Sequence, residues 1–135
     1  MRKLKSASNE SSALLLDTNI LVWAGTDNPR LSGRIRAVLA DPDVRLFVSA
    51  VTAWEFTDLE MRGHFPKGIT FDLVRNGLST TILDFPAEAW RIAQTLPDLH
   101  RDPVDRMLIG HAIAIGETII TSDAKMRTYP VKTLW

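Results

Sequence analysis

Cysteine is missing from all 135 residues, which rules out a disulfide framework, a thiolate zinc site and thiol catalysis. Any metal would have to be held by carboxylates or histidines. Net charge is missing too: 16 Lys and Arg balance 16 Asp and Glu. The chain therefore lacks the overall basicity that often marks a nucleic-acid-binding domain, and an activity on nucleic acid would have to arise from local geometry. No apolar run is long enough to span a bilayer. The short apolar stretch Ala13 to Leu16, after the basic, serine-rich residues 1–12, is far below the length of a signal peptide's hydrophobic region. Cytoplasmic location without membrane association is the resulting expectation. Internal repeats and low-complexity tracts are also absent.

What is present has the balance of a globular protein, with 45% hydrophobic and 24% charged residues. A chain of 135 residues suits one domain. We expect a flexible extension over 1–12 and a single folded unit over 13–135.

Leu14, Leu15 and Leu16 form a continuously apolar run of the kind seen in strands covered on both faces, with Asp17 at its carboxyl end. A loop passes through Asp27, Asn28 and Pro29. Leu31 to Ala40 then carries Ile35, Val38 and Leu39 at helical spacing. Val44 to Val48 reads as a strand, and Ser49 offers a cap for a helix over Ala50 to Arg62, closed by Gly63. Phe71 to Gly77 suits a short helix, Thr80 to Phe85 a strand, and Pro86 to Thr95 another helix with proline in its first turn. A long apolar helix runs from about Pro103 to Ile115, Gly116 closes it, and Thr118 to Thr121 is a β-branched strand. Val131 to Trp135 suits a last strand. Alternating strands and helices imply an α/β fold, a mainly parallel sheet with helices on both faces, whose ligand sites lie at the carboxyl ends of the strands.

Four acids fall where such a site would lie, and each also has a plain explanation. Asp17 suits the cap of a following helix. Glu55 shares a stripe with Val51 and Leu59 that should face the core, unless its carboxylate reaches water at an edge. Asp105 heads the apolar stripe Leu108, Ile109 and Ala112, yet also occupies a capping-box position behind Asp102 and Pro103. Asp102 itself reads first as a helix cap. Asp123 follows Ser122 directly after a strand, and either side chain suits the cap of Ala124 to Met126. Taken together, two strand ends and two inward helix stripes converge on one crevice. Crowded carboxylates raise each other's pKa and stay ionised only beside a cation. An oxygen-rich site of this kind suits Mg²⁺, with Mn²⁺ as a substitute, and the matching chemistry is hydrolysis of a phosphodiester.

The segments LLLDTNILVW, SAVTAWEF, LHRDPVDRMLIGHA and TIITSDAKM resemble, in order and spacing, the acidic motifs of PIN-domain proteins, and most closely those of VapC-like toxins of toxin–antitoxin systems. The resemblance runs from about Leu14 to Trp135. It implies a three-layer α/β/α sandwich and a magnesium-dependent endoribonuclease with Asp17, Glu55, Asp105 and Asp123 as catalytic, metal-binding acids. Asn19, Asp102 and Ser122 would support them, and Arg106, beside Asp105, is taken as a further supporting residue from its position. It also implies a homodimer and a cognate antitoxin whose tail enters the acidic groove.

The remaining residues offer less. Arg101, Arg106, Lys125 and Arg127 flank the later acids and suit either phosphate contacts or solvated surface. His111 reads as a hydrogen-bonded, partly buried histidine. His100 is assigned no catalytic role, since four acids suffice for a metal mechanism. The four tryptophans are too scattered for a stacking stripe and suit core or dimer packing. Two other functions stay open: a non-catalytic domain that binds RNA or protein, and an aspartyl-phosphate phosphatase, although the latter would want aspartate where Asn19 stands.

Overall fold

The structure is a computed structural model that describes residues 13–135; the expected extension over 1–12 lies outside the described residues. Strand β1 is Ala13–Leu16, followed by helices α1 Thr18–Gly25 and α2 Gly33–Ala40, strand β2 Arg45–Ser49, helices α3 Ala50–Met61 and α4 Phe71–Gly77, strand β3 Thr81–Leu83, helices α5 Ala89–Thr95 and α6 Pro103–Ile115, strand β4 Thr118–Ile120 and strand β5 Thr133–Leu134. A 3₁₀ turn covers Met126–Thr128. The strands form one sheet in the order β3-β2-β1-β4-β5, and every pairing is parallel.

That order puts β1 at the centre. From it the chain builds outward through β2 and β3 on one side, then returns to add β4 and β5 on the other. The crevice at the carboxyl ends of β1 and β4 is the topological switch point, where open parallel sheets bind ligands. The Asp17 amide donates to Ile120 O across this point at 3.2 Å, so the first residue beyond β1 is tied to the end of β4.

The period of two along each strand divides the core into two layers. Leu14, Leu16, Val48 and Ile120 face α1 to α4, packing with Ile20, Leu21, Ile35, Phe56, Phe71 and Val74. Leu15 and Ile119 face the opposite side, with Leu108, Ile109 and Ala112 of α6. Each such aliphatic side chain contributes ~1.5–3 kcal/mol on burial, offset largely by the entropy of ordering the chain. On this second side α5 crosses α6 closely at Gly110, where a Cβ would lie 2.6 Å from Ala89 O. Gly116 ends α6 with φ 70°, the left-handed conformation that favours glycine.

Several boundaries differ from those read from the sequence. The stretch Thr18–Gly25 forms helix α1, with Asp17 as its cap. Helix α5 begins at Ala89 rather than Pro86, and Glu88 precedes it without a side-chain capping bond. Strands β3 and β5 are shorter than their β-rich segments. Both are edge strands with a partner on one side only, so the ladder ends early.

Candidate metal centre

Asp17 and Asp123 each divide their oxygens between two tasks. Asp17 is 4% exposed; its Oδ1 accepts the Ile20 amide at 2.9 Å and caps α1. Its Oδ2 accepts the Thr121 hydroxyl from the end of β4. Asp123 Oδ1 accepts the amides of Lys125 at 2.8 Å and Met126 at 3.4 Å, while its Oδ2 lies 2.9 Å from His100 Nε2. Local structure and site-forming are therefore not alternatives here, since one oxygen of each aspartate accepts nearby backbone amides and the other is directed at the switch point.

The helices bring the other two acids. Helix α6 starts with Asp102, whose Oδ1 accepts the amides of Val104 at 2.9 Å and Asp105 at 3.2 Å, with Pro103 in the first turn. This cap leaves the Asp105 carboxylate free of capping duty, and its Oδ2 lies 2.9 Å from His100 Nε2. Glu55 sits in the middle of α3 and accepts the Thr18 hydroxyl. The core face of α3 is formed by Thr52 and Phe56 rather than by a Val51–Glu55–Leu59 stripe. Glu55 and Leu59 instead border the crevice, which explains how an acid is tolerated in that helix.

Asp17, Thr18, Asn19, Glu55, Leu59, Asp102, Asp105 and Asp123 line one cavity of about 110 Å³. All four sequence-identified acids, with Asp102 and Asn19, thus meet in one place. A larger cavity of about 510 Å³ lies among residues 39–47 and 77–81 and includes none of the four. It sits by the amino ends of β2 and β3, away from the carboxyl ends where parallel sheets bind ligands.

The family model for the PIN domain matches residues 14–132. This chain belongs to the PIN-domain family. The fold of this PIN domain is shared with VapBC2 of Rickettsia felis bound to a promoter DNA fragment, at TM-score 0.64 and 20% identity, covering 90% of this chain and 97% of that one. It is shared also with VapC20 of Mycobacterium tuberculosis, a sarcin-ricin loop cleaving toxin, at TM-score 0.58 and 14% identity over 85% and 93% of the two chains. VapBC-1 of nontypeable Haemophilus influenzae has TM-score 0.58 and 19% identity over 90% and 96%. Among curated proteins there is no significant sequence match.

The electrostatics of this PIN domain's crevice follow from burial and crowding. Burial, reinforced by Asp123 and Glu55, raises the Asp17 pKa to about 6 against the opposing Thr121 and Ile20 hydrogen bonds. Burial first and Asp102 second raise Asp105 to about 7, with His100 opposing. Glu55 is also raised, by burial and then by Asp102 and Asp58. At Asp123 burial is the largest single influence and pushes upward, but the His100 contact and the Lys125 and Met126 amides outweigh it and leave the group lowered. Three of four acids thus resist ionising together, the condition a cation relieves. Ligand atoms of His100, Asp105 and Asp123 lie within 4.8 Å of one another, and the carboxylate oxygens of the crevice suit a hard divalent ion.

Sequence reasoning missed part of this arrangement. The hydroxyls on Asp17 and Glu55 come from Thr121 and Thr18, each a neighbour of the Ser122 and Asn19 singled out from sequence. Ser122 is half-buried and Asn19 exposed at the rim. His100 reaches two acids at once, and its loop is held by Tyr129, whose hydroxyl accepts the amides of Leu99 at 3.1 Å and His100 at 2.8 Å and donates to Pro97 O. Arg106 turns away from the crevice: its guanidinium donates to Ala93 O at 2.8 Å, Pro97 O at 3.0 Å and Leu96 O at 3.2 Å. The position of Thr121 two residues before Asp123 was the available signal, because in an extended segment residues two apart share a face.

Proposed function

We propose that this PIN domain is a metal-dependent endoribonuclease that acts as the toxin of a toxin–antitoxin pair, with Asp17, Glu55, Asp105 and Asp123 as its catalytic and metal-holding acids. The observation that carries this reading is the convergence of four carboxylates from four separate elements in one crevice, two of them held near neutral pKa by burial and mutual repulsion. Mg²⁺, or Mn²⁺ in its place, would activate water and offset charge on a phosphodiester there. The chain's own residues prepare the site. Thr121 and Thr18 fix one oxygen each of Asp17 and Glu55, and Asp102 fixes the first turn of α6 and with it Asp105. Asn19 and Ser122 stand beside these groups in the sequence as polar neighbours for substrate. Exposed Arg101, Lys125 and Arg127 supply cations for RNA phosphates at the rim.

The partners of this reading are an RNA substrate, a cognate antitoxin and a second copy of the chain, in the cytoplasm. Fold likeness to two VapBC proteins supports the antitoxin. Among the described residues no helix is long and apolar enough to cross a membrane. An apolar surface formed by Val51, Trp54, Pro103, Val104 and Met107, with Trp54 61% exposed, supports the homodimer, since contiguous exposed apolar area favours association.

The test is cleavage of labelled total cellular RNA by purified protein with Mg²⁺, Mn²⁺ or EDTA, beside an Asp17→Asn, Asp105→Asn double variant. Discrete metal-dependent fragments absent from the variant support the nuclease; RNA retained but uncut under every condition supports a binding module instead.

A further inference from the structure

His111 has no part in the crevice, yet it is 1% exposed and its Nδ1 lies 2.8 Å from the Oγ of Ser49, which is wholly buried. Ser49 is the last residue of β2 and the cap of α3, its Oγ accepting the Val51 amide at 3.2 Å. The His111 ring meets Phe85, just beyond β3, edge-on at 5.5 Å between centroids. Its Nε2 is buried without a hydrogen-bond partner among the described residues. A polar ring with one unsatisfied nitrogen costs free energy in an otherwise apolar layer, and burial lowers its pKa and keeps it neutral. A leucine or phenylalanine would fill the space without that penalty, so the value of His111 must lie in the bond it does make.

The bond joins the two helices that carry Glu55 and Asp105. Glu55 stands six residues after Ser49 on α3, and Asp105 six residues before His111 on α6. Since Ser49 meets His111 and Glu55 lines the same cavity as Asp105, α3 and α6 run antiparallel, with the polar bond at one end of their contact and the acids at the other. Six residues of helix span about 9 Å, so a rotation of about 6° at this bond moves a carboxylate by about 1 Å, a displacement large enough to impair a catalytic site. We propose that the His111–Ser49 hydrogen bond is a positioning contact that sets the spacing of Glu55 and Asp105. The proposal rests on the metal-site reading above for its effect on activity, but not for the coupling itself.

The experiment compares His111→Phe, which keeps volume and loses the bond, with His111→Asn, which keeps a polar atom at the place of Nδ1 and loses volume. Mn²⁺ binding by calorimetry is expected to weaken on the order of 10-fold in His111→Phe, as in Ser49→Ala, with most of the affinity restored in His111→Asn. Urea stability should follow the reverse order, with His111→Phe the more stable of the two. If the residue were only core filling, His111→Asn would be the worse variant in both measurements. A metal-free double-mutant cycle between His111→Phe and Glu55→Gln, read by urea unfolding, should be non-additive. Absence of Mn²⁺ binding in the unaltered chain would count against the metal-site reading, while the cycle still decides the coupling. An additive cycle overturns the proposal, and so does parental Mn²⁺ affinity in His111→Phe.

Discussion

His100 Nε2 lies 2.9 Å from Asp105 Oδ2, with a side chain only 12% exposed. The Asp102 amide donates to the other ring nitrogen, Nδ1, at 3.2 Å. In the neutral ring this makes Nδ1 the acceptor and places the proton on Nε2, facing Asp105 and Asp123. The imidazole therefore offers a donor to two crowded acids, a service a bound cation would also perform. His100→Ala is expected to cost about 1–2 kcal/mol of stability in EDTA and distinctly less under saturating Mg²⁺. A deficit that grows when Mg²⁺ is added would instead make His100 a ligand.

Neutralising single acids separates a functional site from a set of helix caps. Asp105→Asn and Glu55→Gln are expected to abolish cleavage while leaving metal-free thermal stability unchanged or raised, because each removes a buried, mutually repelled charge. Neither carboxylate caps its own helix, since Asp102 caps α6 and Ser49 caps α3. A stability loss above about 2 kcal/mol in either variant would show that the carboxylate was structural after all.

Stability in the absence of metal should depend on pH with an unusual sign. Asp17 and Asp105 have folded pKa values of about 6 and about 7, above the ordinary 3.8. Between these limits the folded state binds more protons than the unfolded chain, so stability falls as pH rises through that window and returns on acidification. For buried Asp17 the change from 3.8 to about 6 corresponds to ~3 kcal/mol at most. Asp123 and His111 act oppositely. The lowered pKa of Asp123 confines its effect to pH below 3.8, while His111, lowered from 6.5 by burial, offsets part of the trend that Asp17, Asp105 and the raised Glu55 set. Thermal unfolding in EDTA should therefore show a higher Tm at pH 5 than at pH 7.5, with Mg²⁺ flattening or reversing the trend. A Tm that climbs steadily from pH 5 to 7.5 in EDTA would contradict the crowding of these acids.

Much of this was legible before the fold was known, for physical reasons that differ by residue. The apolar run Leu14 to Leu16 and the β-branched run at Thr118 to Thr121 mark strands covered on both faces, and acids immediately after such strands fall at the switch point of a parallel sheet. Asp105 stood out because its helix face is otherwise aliphatic, and Leu108, Ile109 and Ala112 are indeed buried. Glu55 was found by a stripe whose Glu55 and Leu59 turned out to border the crevice rather than the core. Contacts between distant segments left no local mark: Thr121 reaches back 104 residues to Asp17, and Tyr129 reaches 29 residues to the His100 amide. Periodicity reports which face of an element is covered but says nothing of which loop arrives over its end.

Arg106 shows how a charge beside an acidic crevice can have another purpose. From the sequence it suited either a phosphate contact or solvated surface, lying next to Asp105. The guanidinium instead gathers the carbonyls of Ala93, Leu96 and Pro97 and approaches the Tyr129 hydroxyl at 3.4 Å. These carbonyls belong to the end of α5 and the turn after it, groups a helix terminus leaves unsatisfied, and a cation is favoured there by the helix dipole. Its planar fork serves several acceptors at once, which a lysine ammonium on a flexible stem does less well. Arg106→Lys is therefore expected to lower stability by about 1–2 kcal/mol and Arg106→Ala by about 2–3 kcal/mol, with Mn²⁺ affinity unchanged in both. Measuring RNA binding at several salt concentrations completes the test. Loss of one phosphate contact would reduce the salt dependence by about one charge, whereas a clamp leaves that slope untouched while the protein unfolds at lower urea.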